Sequence, residues 1–159
     1  MTFLYYVLFA ALVVGLDQFA KFLTVAYIPL GESLPFLPGV LQLSHIQNTG
    51  AAFSSFEGQH WLFALIFLVF TVLVLWEYFK KPLPLKPFER WCVAAIYGGG
   101  LGNMIDRVRF GYVVDMLDTV FVNFPVFNVA DIFITCGSIL LFGHLFFFNK
   151  AFWKEENKK

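Results

Sequence analysis

The chain has 159 residues, 59% hydrophobic and 20% aromatic, with 22 Phe and only 14% charged residues. A water-soluble globular domain carries roughly a quarter charged residues, so the composition excludes that class as the default. Eleven basic residues balance eleven acidic ones, and no net charge remains to attract nucleic acid, which is not expected as a partner.

Four apolar segments follow in chain order. The first covers about residues 4–27 and is interrupted by Asp17 and Lys21. The second, about 59–78, contains an uncharged run from Gly58 to Trp76 bracketed by Glu57 and Glu77, close to the roughly 20 residues that a helix needs to cross a bilayer. The third, about 91–110, is uncharged only as far as Ile105, and the fourth, about 131–149, is uncharged from Ile132 to Asn149. Backbone amides must be paired in hydrocarbon, so each span is expected to be helical. The fold class predicted is an all-α integral membrane protein: four transmembrane helices in a single membrane domain over 1–159, with a small outward-facing β-like or loop region. No basic residue precedes the first segment and it holds an internal Asp and Lys, so it is expected to be retained rather than removed as a signal peptide.

Basic residues set the orientation. Lys80, Lys81, Lys86 and Arg90 crowd the second connection, and Lys150, Lys154, Lys158 and Lys159 follow the fourth span. By the positive-inside rule, both termini and the 80–90 loop are cytoplasmic, and the connections at about 28–58 and 111–130 face outward. Within the first of these, LQLSHIQ alternates as a strand does and could belong to a lid. Cys92 and Cys136 then fall near opposite membrane faces, too far apart for a disulfide, and read as inert packing residues. His45, His60 and His144 are scattered with no zinc-type spacing, so no metal or cofactor is expected.

Polar groups inside spans are costly and therefore candidates for function. Asp17 and Lys21, at i and i+4, share a helix face and can neutralise each other. The stretch GGGLGNMIDRVRFGYVVDML brings Asn103, Asp106, Arg107 and Asp115 together near the outer face. Gly98, Gly99, Gly100 and Gly102 do not make a nucleotide-binding GxGxxG and are read as letting helices approach closely. Asp106 and Arg107 read equally well as interfacial charges.

Asp131 opens the fourth span, where an aspartate can serve as an N-cap. Its partner in chemistry would be Asp115, a carboxylate from another element at the same depth, with Asn128 and Arg107 nearby. Two close carboxylates share a proton, so one can deprotonate a water while the other protonates a carbonyl oxygen, without metal or cofactor. Two rival readings stand beside this one. A serine-lysine peptidase would use Ser54 or Ser55 with Lys21 as base, and a small ion or proton carrier would use the same charges as a relay.

DQFAK (17–21), NTGAAFS (48–54), GNMIDRVRFGYVVDM (102–116) and FNVAD (127–131) occur in this order, and together they closely resemble the bacterial lipoprotein signal peptidases, the signal peptidase II family. The resemblance covers essentially the whole chain. It implies an aspartic endopeptidase of the bacterial cytoplasmic membrane that cuts diacylglyceryl-modified prolipoproteins just before the lipidated Cys, with its active site near the outer face. By motif position Asp115 and Asp131 are the implied catalytic pair. Asp17, Lys21, Asn48, Gly50, Asn103, Arg107 and Asn128 match the family's supporting and substrate-binding positions. The implied partners are the lipidated prolipoprotein, membrane lipid, and a cyclic peptide antibiotic that inhibits the family. Ala20, Met116 and Ile132 depart from the family pattern, which bears on local hydrogen bonding and pocket shape rather than on the proposed catalytic groups.

Overall fold

The computed structural model describes residues 2–50, 59–80 and 83–152. Its elements are α1 (Thr2–Tyr27), β1 (Ser33–Leu37), β2 (Leu41–Asn48), α2 (His60–Lys80), α3 (Pro87–Phe110), β3 (Val113–Thr119) and α4 (Val129–Phe147). The protein is thus mostly helical, with one small sheet. Ser54 and Ser55, and with them the last four residues of the NTGAAFS motif, lie outside the described residues, as do Lys81, Lys154, Lys158 and Lys159.

Among the described residues, three helices are long and apolar enough to cross a membrane: Phe3–Tyr27, Trp61–Lys80 and Val129–Phe147. Their outer faces carry exposed Leu, Val, Ile and Phe side chains such as Leu8, Leu12, Val69, Leu73, Ile139 and Phe142, as expected where hydrocarbon rather than water is the solvent. α3 is as long, with 24 residues, but differs in composition. It holds Glu89, Arg90, Asp106, Arg107 and Arg109, and its buried face is made of Ala94, Ala95, Gly98, Gly99, Gly102, Asn103 and Asp106. It begins at Pro87 rather than near 91, because Pro at the first helical position and Glu89 bonding back to the Lys86 amide start the helix earlier.

α3 is the axis of the bundle. Its glycines let neighbours come close, since a methyl group at Gly98 would fall 2.8 Å from the Ala10 carbonyl oxygen of α1, and one at Gly99 would fall 2.5 Å from the Ala130 carbonyl oxygen of α4. Gly137 of α4 faces Ile96 and Cys92 in the same way. Lipid offers no hydrophobic drive between helices, so close backbone approach supplies the van der Waals contact that holds them together.

Beyond one end of the bundle lies an antiparallel three-stranded sheet in the order β1-β2-β3. β2 is the strand expected from LQLSHIQ. The strand formed by VVDMLDT is not foreseen in the sequence reading, which treats 111–130 as connection. Register pairs Ile46 with Asp115 and Asn48 with Val113, past an irregularity between Leu43 and Ile46. A polar ladder crosses the sheet: Gln42 Nε2 and Ser44 Oγ donate to Asp118 Oδ2 at 2.6 and 3.0 Å, and the Ser33 and Ser44 hydroxyls meet at 2.7 Å.

The α3–α4 contact gives a direct test. Gly99→Ala must push the Ala130 backbone aside and is expected to cost about 1–3 kcal/mol, a lowering of several degrees in the unfolding midpoint in detergent. Gly143→Ala, which meets nothing within 4 Å, should leave that midpoint unchanged or slightly raised. Equal midpoints for the two variants would remove the close-approach account.

Candidate active site

Where the sheet meets the bundle, a cleft of about 500 Å³ is lined by Asn48, Gly50, Asn103, Arg107, Asp115, Asn128 and Asp131, with apolar walls from Val113, Phe124, Pro125, Val126, Phe127 and Ile132. Asp115 comes from β3 and Asp131 from the first turn of α4, elements that tertiary folding alone brings together. The bridge Leu117–Phe127 draws the segment before α4 against β3, and this carries Asn128 to Asp115.

Asn128 is the linchpin. It is fully buried, and its side-chain amide donates to Asp115 Oδ1 at 2.6 Å and to Asn103 Oδ1 at 3.0 Å. Its own backbone amide donates to Asp131 Oδ2 at 3.1 Å, while its side-chain oxygen accepts from the Asp131 amide at 2.9 Å. Asn128 is therefore the N-cap of α4 and Asp131 stands at the third helical position in a reciprocal capping box. This corrects the reading of Asp131 as the cap. The cap role belongs to Asn128, and it leaves Asp131 Oδ1 to accept from Asn103 Nδ2 at 2.8 Å.

Asp115 is 2% exposed and accepts from Asn48 Nδ2 at 2.8 Å as well as from Asn128. Burial pushes its pKa up to about 6, and the Asp131 charge adds to the rise against the opposing Asn48 and Asn128 hydrogen bonds. Arg107 closes another side of the cleft. It donates to the Gly50 carbonyl at 3.0 Å and to the Asn103 carbonyl at 3.3 Å, with its guanidinium over the Phe63 ring at 4.3 Å. Its Nε has no acceptor among the described residues.

Asp17 and Lys21 do not line the cleft; they lie behind it. Lys21 Nζ meets Asp17 Oδ2 at 2.9 Å, Asp106 Oδ2 at 3.0 Å and Asn103 Oδ1 at 2.9 Å. Three acceptors match the three N–H bonds of an ammonium, so Lys21 is built as a fixed cation rather than as the desolvated base that a serine-lysine mechanism needs. Asp17 also accepts from the Ala130 amide at 2.9 Å. Asp106, which the sequence reading leaves as an interfacial charge, is 1% exposed and receives the Val114 amide at 3.1 Å and Gln18 Nε2 at 2.8 Å. Gln18 is thus a member of this network that sequence reasoning passes over, although its adjacency to Asp17 within the DQFAK motif is a usable signal.

The two cysteines are both free. Cys92 is buried, whereas Cys136 is exposed and lines the cleft, so the expectation of two packing residues holds for Cys92 alone. Among the described residues no group of three His, Cys, Asp or Glu is placed to hold a metal.

Comparison with known proteins agrees with this architecture. The family model described as signal peptidase (SPase) II matches residues 9–147. The chain is 45% identical over 151 residues to the lipoprotein signal peptidase of Enterococcus faecalis, covering 92% of this chain and 90% of the relative. It is 44% identical over 155 residues to that of Streptococcus pyogenes serotype M1, covering 96% and 95%. Two solved structures of bacterial membrane enzymes, obtained by the in meso method at 2.3 and 1.9 Å, superpose with TM-scores of 0.82 and 0.80 at 31% and 30% identity. The first covers 98% of this chain and 92% of the solved chain, and the second 91% and 94%.

The raised Asp115 pKa makes stability depend on pH with a definite sign. The folded protein keeps this proton up to about pH 6, whereas an unfolded chain releases it near pH 4, so the folded state gains stability as pH falls from about 6 to 4. The gain is at most about 3 kcal/mol. The expected outcome is that the wild-type unfolding midpoint in detergent rises from pH 7 to pH 4.5 relative to that of Asp115→Asn. Parallel curves for the two proteins would contradict a raised pKa at this residue.

Proposed function

The chain belongs to the signal peptidase II family, and from that premise we propose how its cleft performs the reaction. It is a membrane protease that removes signal peptides from prolipoproteins. In this reading Asp115 and Asp131 are an aspartic dyad that cuts just before a diacylglyceryl-modified Cys. The observation that carries the assignment is the pair of carboxylates from different elements on one cleft, tied together through Asn128.

The more buried Asp115 holds the shared proton, and Asp131 acts as the base. Asp131 takes a proton from water as the water oxygen attacks the scissile carbonyl carbon, and Asp115 gives its proton to the carbonyl oxygen. When the resulting gem-diol collapses, Asp131 delivers its proton to the leaving nitrogen and Asp115 recovers one from a hydroxyl, which restores the starting state. Arg107 and Asn48 stand where substrate carbonyls need donors, because a peptide drawn out of a helix in lipid must exchange its own hydrogen bonds for enzyme partners. The apolar wall formed by Phe124, Val126, Phe127 and Ile132 suits the acyl chains of the lipidated Cys, and the family's cyclic peptide inhibitor would compete for the same cleft.

The finer topology follows the same proposal. α3 is a fourth span whose charges are either paired within the bundle or near its ends, the whole chain forms one membrane domain, and both termini lie in the cytoplasm of the bacterium. Arg90 with Lys80 and Lys86 marks the cytoplasmic end, and the sheet and cleft lie at the outer end.

Cleavage of a diacylglyceryl-modified prolipoprotein by purified enzyme in detergent tests the assignment. Asp115→Asn and Asp131→Asn should each reduce turnover by about 10³-fold or more while substrate still binds, and unlipidated precursor should be left intact. Substantial turnover by either variant would overturn the dyad.

A further inference from the structure

A second cavity, of about 330 Å³, lies between α1, α2 and α3 at the other end of the bundle from the dyad. On α3 its walls are Arg90, Val93, Ala94, Tyr97 and Leu101, a stripe recurring every three or four residues, and α1 and α2 present matching stripes from Phe3 to Ala11 and from Thr71 to Tyr78. Three helix faces therefore turn toward a space that none of them fills. From Arg90 to Leu101 the space runs about 16 Å along α3. A cavity of about 150 Å³ takes a benzene, so one of about 330 Å³ takes a hydrocarbon of roughly twice that size. That is room for a length of hydrocarbon chain.

Charge marks one end of this space. Arg90 Nη2 pairs with Glu77 Oε1 at 3.1 Å, Phe3 stacks on Tyr78 with ring centroids 3.8 Å apart, and exposed Lys80 lies in the last turn of α2 just beyond. The other end, at Ala11, Thr71 and Leu101, carries no charged group, and its polar atoms are the Thr71 hydroxyl, bonded to the Phe67 carbonyl at 2.8 Å, and the Tyr97 hydroxyl 3.5 Å from it. A mostly apolar slot, with Arg90 and Lys80 outweighing the single Glu77 carboxylate at its charged end, matches an acyl chain headed by an anionic phosphate.

We infer that this cavity is a binding site for one acyl chain of an anionic phospholipid, with the headgroup phosphate at Lys80 and Arg90. The inference rests on the reading of α3 as a fourth span. The site is separate from the substrate cleft, and its occupant supports α2, the helix that carries Phe63 beneath Arg107. A lipid in this slot therefore bears on the active site by holding one of its walls.

The test is photolabelling in vesicles of phosphatidylcholine containing phosphatidylglycerol with a diazirine in the acyl chain. Labels are expected on cavity residues such as Ala10, Val74 and Tyr97 as well as on outward residues such as Leu8 and Val69. Cavity labelling should fall about tenfold or more in Ala94→Phe, which fills the slot, or in Ala11→Phe at its edge should the first variant fold poorly, while outward labelling persists. Moving the diazirine to phosphatidylcholine should lower cavity labelling severalfold. Labels confined to outward residues, cavity labels indifferent to both fillings, or equal labelling by the two headgroups would overturn the proposal. Membrane-impermeant maleimide on single cysteines at Lys86→Cys and Tyr112→Cys, in a chain lacking Cys92 and Cys136, separates the failures. Reaction from opposite sides with no cavity label rejects the lipid site alone, and reaction from one side rejects the fourth span.

Discussion

The Lys21 ammonium is the interaction on which the rest of the site depends. An isolated lysine charge inside an apolar bundle is prohibitively costly, and a carboxylate is no cheaper. Here Lys21 is held between Asp17 on its own helix and Asp106 on α3, with Asn103 as third acceptor. Each carboxylate then spends a further oxygen lone pair outside the trio, Asp17 on the Ala130 amide of α4 and Asp106 on the Val114 amide of β3. Four elements are tied to one cation. Removing the cation alone would leave two buried carboxylates to repel each other, a loss of the kind that costs about 3–5 kcal/mol.

The consequence for chemistry runs through Asn103. Its oxygen is occupied by Lys21 and Asn128, which forces its amide group to point at Asp131. Asn128 is fixed in turn as the cap of α4, and its amide is delivered to Asp115. The orientation of both carboxylates is thus inherited from a buried ion cluster through two asparagines whose flips are each determined by a partner that can only donate or only accept. This is the preorganisation that the proposed dyad requires.

Much of this was legible in the residues, for identifiable reasons. Charges inside apolar runs are conspicuous, so Asp17, Lys21, Asp115 and Asp131 stand out, and the i, i+4 spacing gives the first ion pair outright. The glycines at 98, 99 and 102 read correctly as points of close approach because their density inside one helix has few other uses. What stayed hidden depends on tertiary contact. VVDMLDT becomes a strand because β2 offers it an edge, which no local pattern reports. The displacement of Asp131 from cap to third helical position follows from Asn128 competing for the same role. Ser54 and Ser55 fall outside the described residues, and what bears on the serine-lysine reading is the saturation of Lys21 instead.

The opposite end of the bundle has its own polar knot, and the pair of knots explains how an enzyme made largely of apolar helices keeps the two cleft carboxylates in register. Glu89, wholly buried near the start of α3, accepts from the Lys86 amide and from Asn149 Nδ2, and meets His144 Nδ1 at 2.8 Å. Asn149 also donates to the Pro84 carbonyl, which fastens the chain after α4 to the loop before α3. Between this knot and the Asn103–Asp131 bond, α3 and α4 touch through Gly99 and Gly137 with almost no side chain intervening. Sliding one helix past the other would break directional bonds at both ends and create overlap in the middle. In lipid, where apolar surface can be exchanged for hydrocarbon at little cost, it is this combination of pinned ends and a tight waist, rather than hydrophobic burial, that sets the position of Asp131 relative to Asp115.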